Sequence, residues 1–145
     1  MDYKRIAMSE LRDYEAKVEA IRSLTERIKT LNSQIDGIHS ATSDGTPVQG
    51  GGNHREEALC NNIALRDQLA ANLDVVTGQV ESIERGLNRL DAKHRRILDL
   101  FYIRREYGYL QRLCNEFNES EREVYRDKDD ALRQYTISRY GVIDI

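Results

Sequence analysis

Apolar side chains recur every three or four residues along most of the first ninety positions. From Asp2 to Ile38, Ala7, Leu11, Tyr14, Val18, Ile21, Thr25, Ile28 and Ile35 alternate at that spacing, and Leu24, Leu31 and Ile38 widen the stripe. The pattern predicts a helix with a heptad seam that carries the polar Asn32 within it. At 1.5 Å per residue such a helix runs on the order of 50 Å and cannot bury its seam alone. From His39 to Arg55 the pattern stops: HSATSDGTPVQGGGNHR holds the only proline and a triple glycine, and predicts a loop at 39–55. Gly50-Gly51-Gly52 lacks the Lys-Ser/Thr that would make it a phosphate cradle. A second helix is expected from Glu56 to Leu90, where Leu69, Leu73, Val76, Val80, Ile83, Leu87 and Leu90 keep a four-three alternation. Gly78 and Gly86 weaken it by about 1 kcal/mol each relative to Ala and mark close packing or a bend. Two such helices around a loop predict a long antiparallel, coiled-coil-like hairpin over residues 1–90. The pairing lies within one chain or between two. A seam of this kind often extends to a second copy, so a homodimer through the arm is expected.

The spacing shortens after Leu90. Asp91 suits the N-cap of a short helix whose apolar face is Ile97, Leu98, Phe101 and Tyr102, with Lys93, Arg95 and Arg96 on the other side. Tyr107-Gly108-Tyr109 reads as a turn, and Leu110, Leu113, Cys114 and Phe117 face inward on the helix that follows. Cys114 is small enough for two helices to meet closely there. Asn118 tolerates the left-handed conformation that a tight turn needs. Ser120-Glu121-Arg122-Glu123 matches a capping box. Val124, Ala131, Leu132 and Tyr135 then face inward, leaving Glu121, Arg122, Tyr125, Arg126 and Asp129 outside. Short helix, turn, capped helix is the arrangement that presents a helix to a DNA major groove. Arg122 and Arg126, one turn apart, suit bidentate contacts to guanine.

Composition narrows the alternatives. Of 145 residues, 32% are charged and 39% hydrophobic, with two Phe and no Trp, which favours long solvated helices over a thick core. No apolar run approaches the roughly 18 residues of a membrane span, and no basic-then-apolar leader opens the chain, so a soluble, cytoplasmic protein is expected. Cys60 and Cys114 are far apart, and His39, His54 and His94 do not complete a metal-ligand spacing. Two small buried or half-buried thiols are expected, with no metal and no cofactor. Nor is there Ser-His-Asp logic or an apolar carboxylate pair, so no enzyme is expected. Net charge is −3, with residues 1–90 carrying 11 Lys+Arg against 14 Asp+Glu and residues 91–145 carrying 11 of each. Within the neutral end, however, residues 93–112 hold six basic groups (Lys93, Arg95, Arg96, Arg104, Arg105, Arg112) against Asp99 and Glu106, a local +4. Screening confines each charge to about 10 Å, so a local patch is what a DNA binder needs. These six are the expected phosphate contacts. His94 among them is either a phosphate contact or a solvated side chain.

Residues 90–136 resemble the last DNA-binding region of sigma factors, in which a small residue on the first helix, a turn residue, a capping Ser and an Ala-Leu recur in the order of Cys114, Asn118, Ser120 and Ala131-Leu132. With its heptad arm and Gly-rich loop, the whole chain is similar to small phage late-transcription regulators of the RinA and ArpU type. The resemblance implies base contacts at Glu121, Arg122, Tyr125 and Arg126, and activation of packaging and morphogenesis genes in a phage or prophage. The chain departs from the sigma pattern at Glu119, where the turn is usually apolar, implying a more open turn. It departs again at Glu121 and Tyr125, which replace often-basic residues. Residues 120–136 hold four basic and five acidic groups, which favours weak half-sites combined by dimerisation or aided by RNA polymerase.

The expectation is therefore an all-α protein with a helical hairpin at 1–90 and a helix-turn-helix domain at 91–145. It would be a sequence-specific regulator that binds double-stranded DNA, with no membrane role. Two rivals remain: a DNA-packaging adaptor of the small-terminase kind, and an interaction protein for RNA polymerase or a sigma factor.

Overall fold

The computed structural model describes residues 1–43 and 52–142, with side chains at 1–38 and 54–142. Its described elements are all helical: α1 (Tyr3–Arg12), α2 (Tyr14–Ser43), α3 (Gly52–Asn88), α4 (Ala92–Leu98), a π-helical turn (Asp99–Ile103), α5 (Tyr109–Phe117) and α6 (Glu121–Tyr140). The helices on either side of the predicted 39–55 loop reach further than their apolar stripes, to Ser43 and back to Gly52. The rest of that segment, 44–51, lies outside the described residues. Among the described residues no helix is long and apolar enough to cross a membrane.

The chain divides into two compact units, Met1–Lys17 with Gly78–Ile145, and Val18–Thr77. This grouping puts α1 with the second half of the chain, where the sequence reading divides it at residue 90. The cause is α1. Asp13 interrupts the first helical run, and Ala7 and Leu11, which share the heptad register of the arm, are fully buried with Ile83, Leu87, Ile97, Leu98, Leu113, Val124, Leu132 and Tyr135. Glu10 then ties α1 to α6. One of its oxygens accepts from the Tyr135 hydroxyl at 2.8 Å and the other from Arg139 at 2.6 Å. The α3 end of this unit meets the same tyrosine at Gly86. A Cβ there would lie 2.8 Å from Tyr135 Cε2, so Gly86 marks close packing, while Gly78 meets nothing within 4 Å.

The first unit is a core of short crossing helices, with α6 packed on α1, α4 and α5. A π-turn after α4 carries Leu100, Phe101 and Tyr102 into the interior in succession, as a regular α-helical face would not. Phe101 makes T-shaped ring contacts with Tyr109 at 5.0 Å and Tyr125 at 5.8 Å. In the second unit the facing segments of α2 and α3 bury Leu31, Ile35 and Leu69, and Arg66 donates to the Asn32 side chain at 3.4 Å. These two helices therefore pair within one chain, and the polar seam residue Asn32 has a partner on the facing helix. Cys114 is buried as expected; Cys60 is exposed, its side chain lying off the α3 seam beside the half-buried Leu59.

Candidate nucleic-acid interface

The helix-turn-helix is built from local rules. Gly108, at φ +77°, turns the chain into α5, and Asn118, at φ 53° and ψ 47°, turns it out again. Only small or hydrogen-bonding side chains reach that left-handed region cheaply, which is why Gly and Asn stand there. The Glu119 amide then donates to the Cys114 carbonyl at 3.0 Å, closing the turn over the small cysteine. Ser120 caps α6 reciprocally: its hydroxyl accepts from the Glu123 amide, and its own amide donates to the Glu123 carboxylate, each at 3.3 Å. Such a cap contributes about 1 kcal/mol and fixes where the helix begins. Val124, Ala131, Leu132 and Tyr135 are buried, so the opposite face of α6 is presented outward.

On that face Glu121, Arg122, Tyr125 and Arg126 are all exposed. Arg122 and Arg126 form no hydrogen bond, ion pair or ring contact among the described residues. Tyr125 is held sideways by its edge contact with Phe101 and by the Lys128 ammonium 5.8 Å above its ring. Glu121 stands by a groove of about 810 Å³ whose other walls are Arg105, Glu106, Tyr107, Gly108, Tyr109, Leu110 and Gln111. The outward face thus offers a positioned phenol, a carboxylate and two guanidiniums that are unengaged among the described residues.

The six basic residues of 93–112 separate into distinct settings. Arg95, Arg96 and Arg104 line one hollow of about 380 Å³ with Tyr14 and Asp99. In it Arg95 hydrogen-bonds the neutral Asn88, Arg96 pairs with Glu116 and Asp99, and Arg104 pairs with Glu15. Tyr14 closes this hollow by donating to Glu84 at 2.7 Å; burial and that carboxylate push its phenol up to about 12. Arg105 lies over the Tyr109 ring at 4.8 Å and donates to its hydroxyl, while Arg112 pairs with Glu106 at 3.2 Å.

Lys93 is different. Its ammonium is engaged by Glu119 and stands 3.0 Å from Asp127, a charge contact rather than an aligned hydrogen bond. Hydrogen bonding to Glu119 raises the ammonium above its ordinary range. Burial alone would raise the Asp127 carboxyl, but its contacts with Glu119 and Lys93 outweigh that and hold it low. Glu119, expected to open the turn, is turned inward instead. His94 is half-buried rather than solvated; its amide donates to Asp91 at 2.8 Å, and its ring Nδ1 is 3.4 Å from the same carboxylate.

The chain matches no family model, no curated protein and no solved structure. The candidate interface therefore rests on its own geometry. Among the described residues no cluster of three or more His, Cys, Asp or Glu is placed to hold a metal. Charge counting along the sequence included Glu10, Glu15 and Asp127 but gave no sign of their partners, a cation or a phenol in each case. Only Glu119, a charge at a turn position where the resemblance leads one to expect an apolar residue, gave a signal that could have been followed.

Proposed function

We propose that the protein is a sequence-specific DNA-binding regulator of transcription that reads bases with the first half of α6. The observation that carries this is the pair Arg122 and Arg126. They stand one turn apart and exposed on a capped helix, without partners among the described residues, while four of the six basic residues at 93–112 are paired with carboxylates. Unengaged guanidiniums at a helix N-terminal half are what bidentate reading of guanine requires. Phosphate contacts come from Arg95 and Arg105, and from Arg96, Arg104 and Arg112 by exchange. Exposed ion pairs are worth at most about 1 kcal/mol and give way to phosphate readily. Activation of late genes in a phage or prophage is the form of regulation that the resemblance of the arm and the sigma-like end supports. Dimerisation through the arm would join two weak half-sites.

The test compares two substitutions. Arg126→Ala should erode preference for the selected sequence by roughly 1–3 kcal/mol while sparing random duplex. Arg104→Ala should weaken all sequences alike and reduce the salt slope by about 1. Equal loss on specific and random DNA for Arg126→Ala would remove that residue from base reading.

A second reading, an interaction protein for RNA polymerase, is favoured by the same ion pairing, which leaves few free cations around α4. Co-purification of polymerase with no duplex binding at low salt would replace the first reading with this one.

A further inference from the structure

Lys93 reaches from one helix to two others and the turn between them. It starts on α4, meets Glu119 in the α5–α6 turn, approaches Asp127 on α6, and lies over the Phe117 ring at 5.5 Å. Both carboxylates are well covered, with side-chain exposures of 17% for Glu119 and 23% for Asp127. One oxygen of each (Glu119 Oε2 and Asp127 Oδ2) is buried without a hydrogen bond. His94 stands close by, its ring Nδ1 3.4 Å from Asp91. Two acids therefore share one half-buried position with one ammonium between them. Removing the ammonium would leave two uncompensated charges facing each other, and breaking such a set costs more than the set itself contributes.

We propose that Lys93 is a positioning residue: it fastens the turn and the first half of α6 to α4, and does not itself contact DNA. Arg122 and Arg126 lie in sequence between the two fastened positions, 119 and 127, so the direction in which they point is set at both ends. The consequence for base reading rests on the function proposed above; the fastening itself does not. Glu119 thereby has a role that an apolar residue would otherwise fill by packing. The turn remains closed because its charge is answered from α4.

The experiment compares Lys93→Met with the triple variant Lys93→Met/Glu119→Gln/Asp127→Asn, in which no charge remains to be answered. Two readouts are taken: amide hydrogen exchange across residues 119–127, and selection from a random duplex library with the salt dependence of binding. Lys93→Met should lower protection at 119–127 roughly tenfold, between what exposed and buried pairs are worth, and leave Ile83–Leu87 unchanged. It should reduce sequence preference by about the worth of one base pair, tenfold or so, with the salt slope intact. The triple variant should restore both. Unchanged exchange in Lys93→Met would overturn the proposal. So would a uniform loss of affinity with a shallower salt slope that the triple variant does not repair, since that is the signature of a phosphate contact. If the unaltered chain selects no sequence, the proposed function falls, and the exchange measurement decides the role of Lys93 by itself.

Discussion

Within Met1–Lys17 and Gly78–Ile145, side chains as large as Tyr135, Leu11, Ile83, Ile97 and Leu113 are sealed from solvent. Within Val18–Thr77 the best-covered of the described residues, Leu31, Ile35 and Leu69, keep 5–8% exposure, and Val75 keeps 60%. Both regions are helical and both carry regular apolar stripes. The difference lies in how many elements meet. Two helices side by side cover one stripe each and leave its margins wet, whereas α1, α4, the π-turn, α5 and α6 cross and close around a common centre. The closed unit therefore holds α6 on several sides, whereas the open one keeps more of its surface in solvent.

The comparison is broken most severely by a cavity in the closed unit. Ile97→Ala should destabilise the fold by about 2–5 kcal/mol in denaturant unfolding, because its surroundings collapse poorly. Gly86→Ala comes next, at roughly 1–3 kcal/mol, since the new methyl must displace the Tyr135 ring that Glu10 holds in place. A gain in stability from that change would mean the approach of α3 to α6 is looser than described.

The pH dependence of unfolding follows in size. Tyr14 is raised to about 12 by burial first and the Glu84 hydrogen bond second, Tyr135 is raised by burial and Glu10, and Lys93 is raised by Glu119. For each, the folded state holds its proton more tightly than the unfolded chain. Their contributions are therefore complete below the unfolded values near 10 and are lost as pH climbs through the folded ones. Asp127 is lowered, so its contribution is present above about 3.9 and lost as pH falls through its folded value. Tyr14→Phe should make the decline above pH 10 shallower; an unchanged alkaline limb would contradict the assignment. The smallest effect belongs to the open unit: Val75→Ala should move the midpoint by no more than about 0.5 kcal/mol.

Much of this contrast was legible in the sequence, because it rests on local rules. The capping box at Ser120–Glu123, the left-handed turn at Asn118, the small buried Cys114 and the inward face of α6 all follow from a few adjacent residues. What escaped was long-range. Ala7 and Leu11 sit in the same heptad register as the arm, and nothing near them announces that they pack beside Tyr135. The π-turn is equally hidden, since an α-helical period cannot place Leu100, Phe101 and Tyr102 inward together. Charges were the least readable. Residues 93–112 count as six cations along the chain, yet Glu15, Glu116, Glu119 and Asp127 reach in from other elements to occupy several of them. The Arg122 and Arg126 guanidiniums on α6 have no such partner among the described residues.

That freedom can be tested directly by a low-salt binding selection from a random duplex library, run in parallel with Arg122→Ala/Arg126→Ala. The account predicts an enriched motif that the double variant loses while retaining its weak affinity for random duplex. Enrichment of the same motif by the double variant would contradict base reading by α6, and no enrichment by either chain would contradict DNA reading altogether.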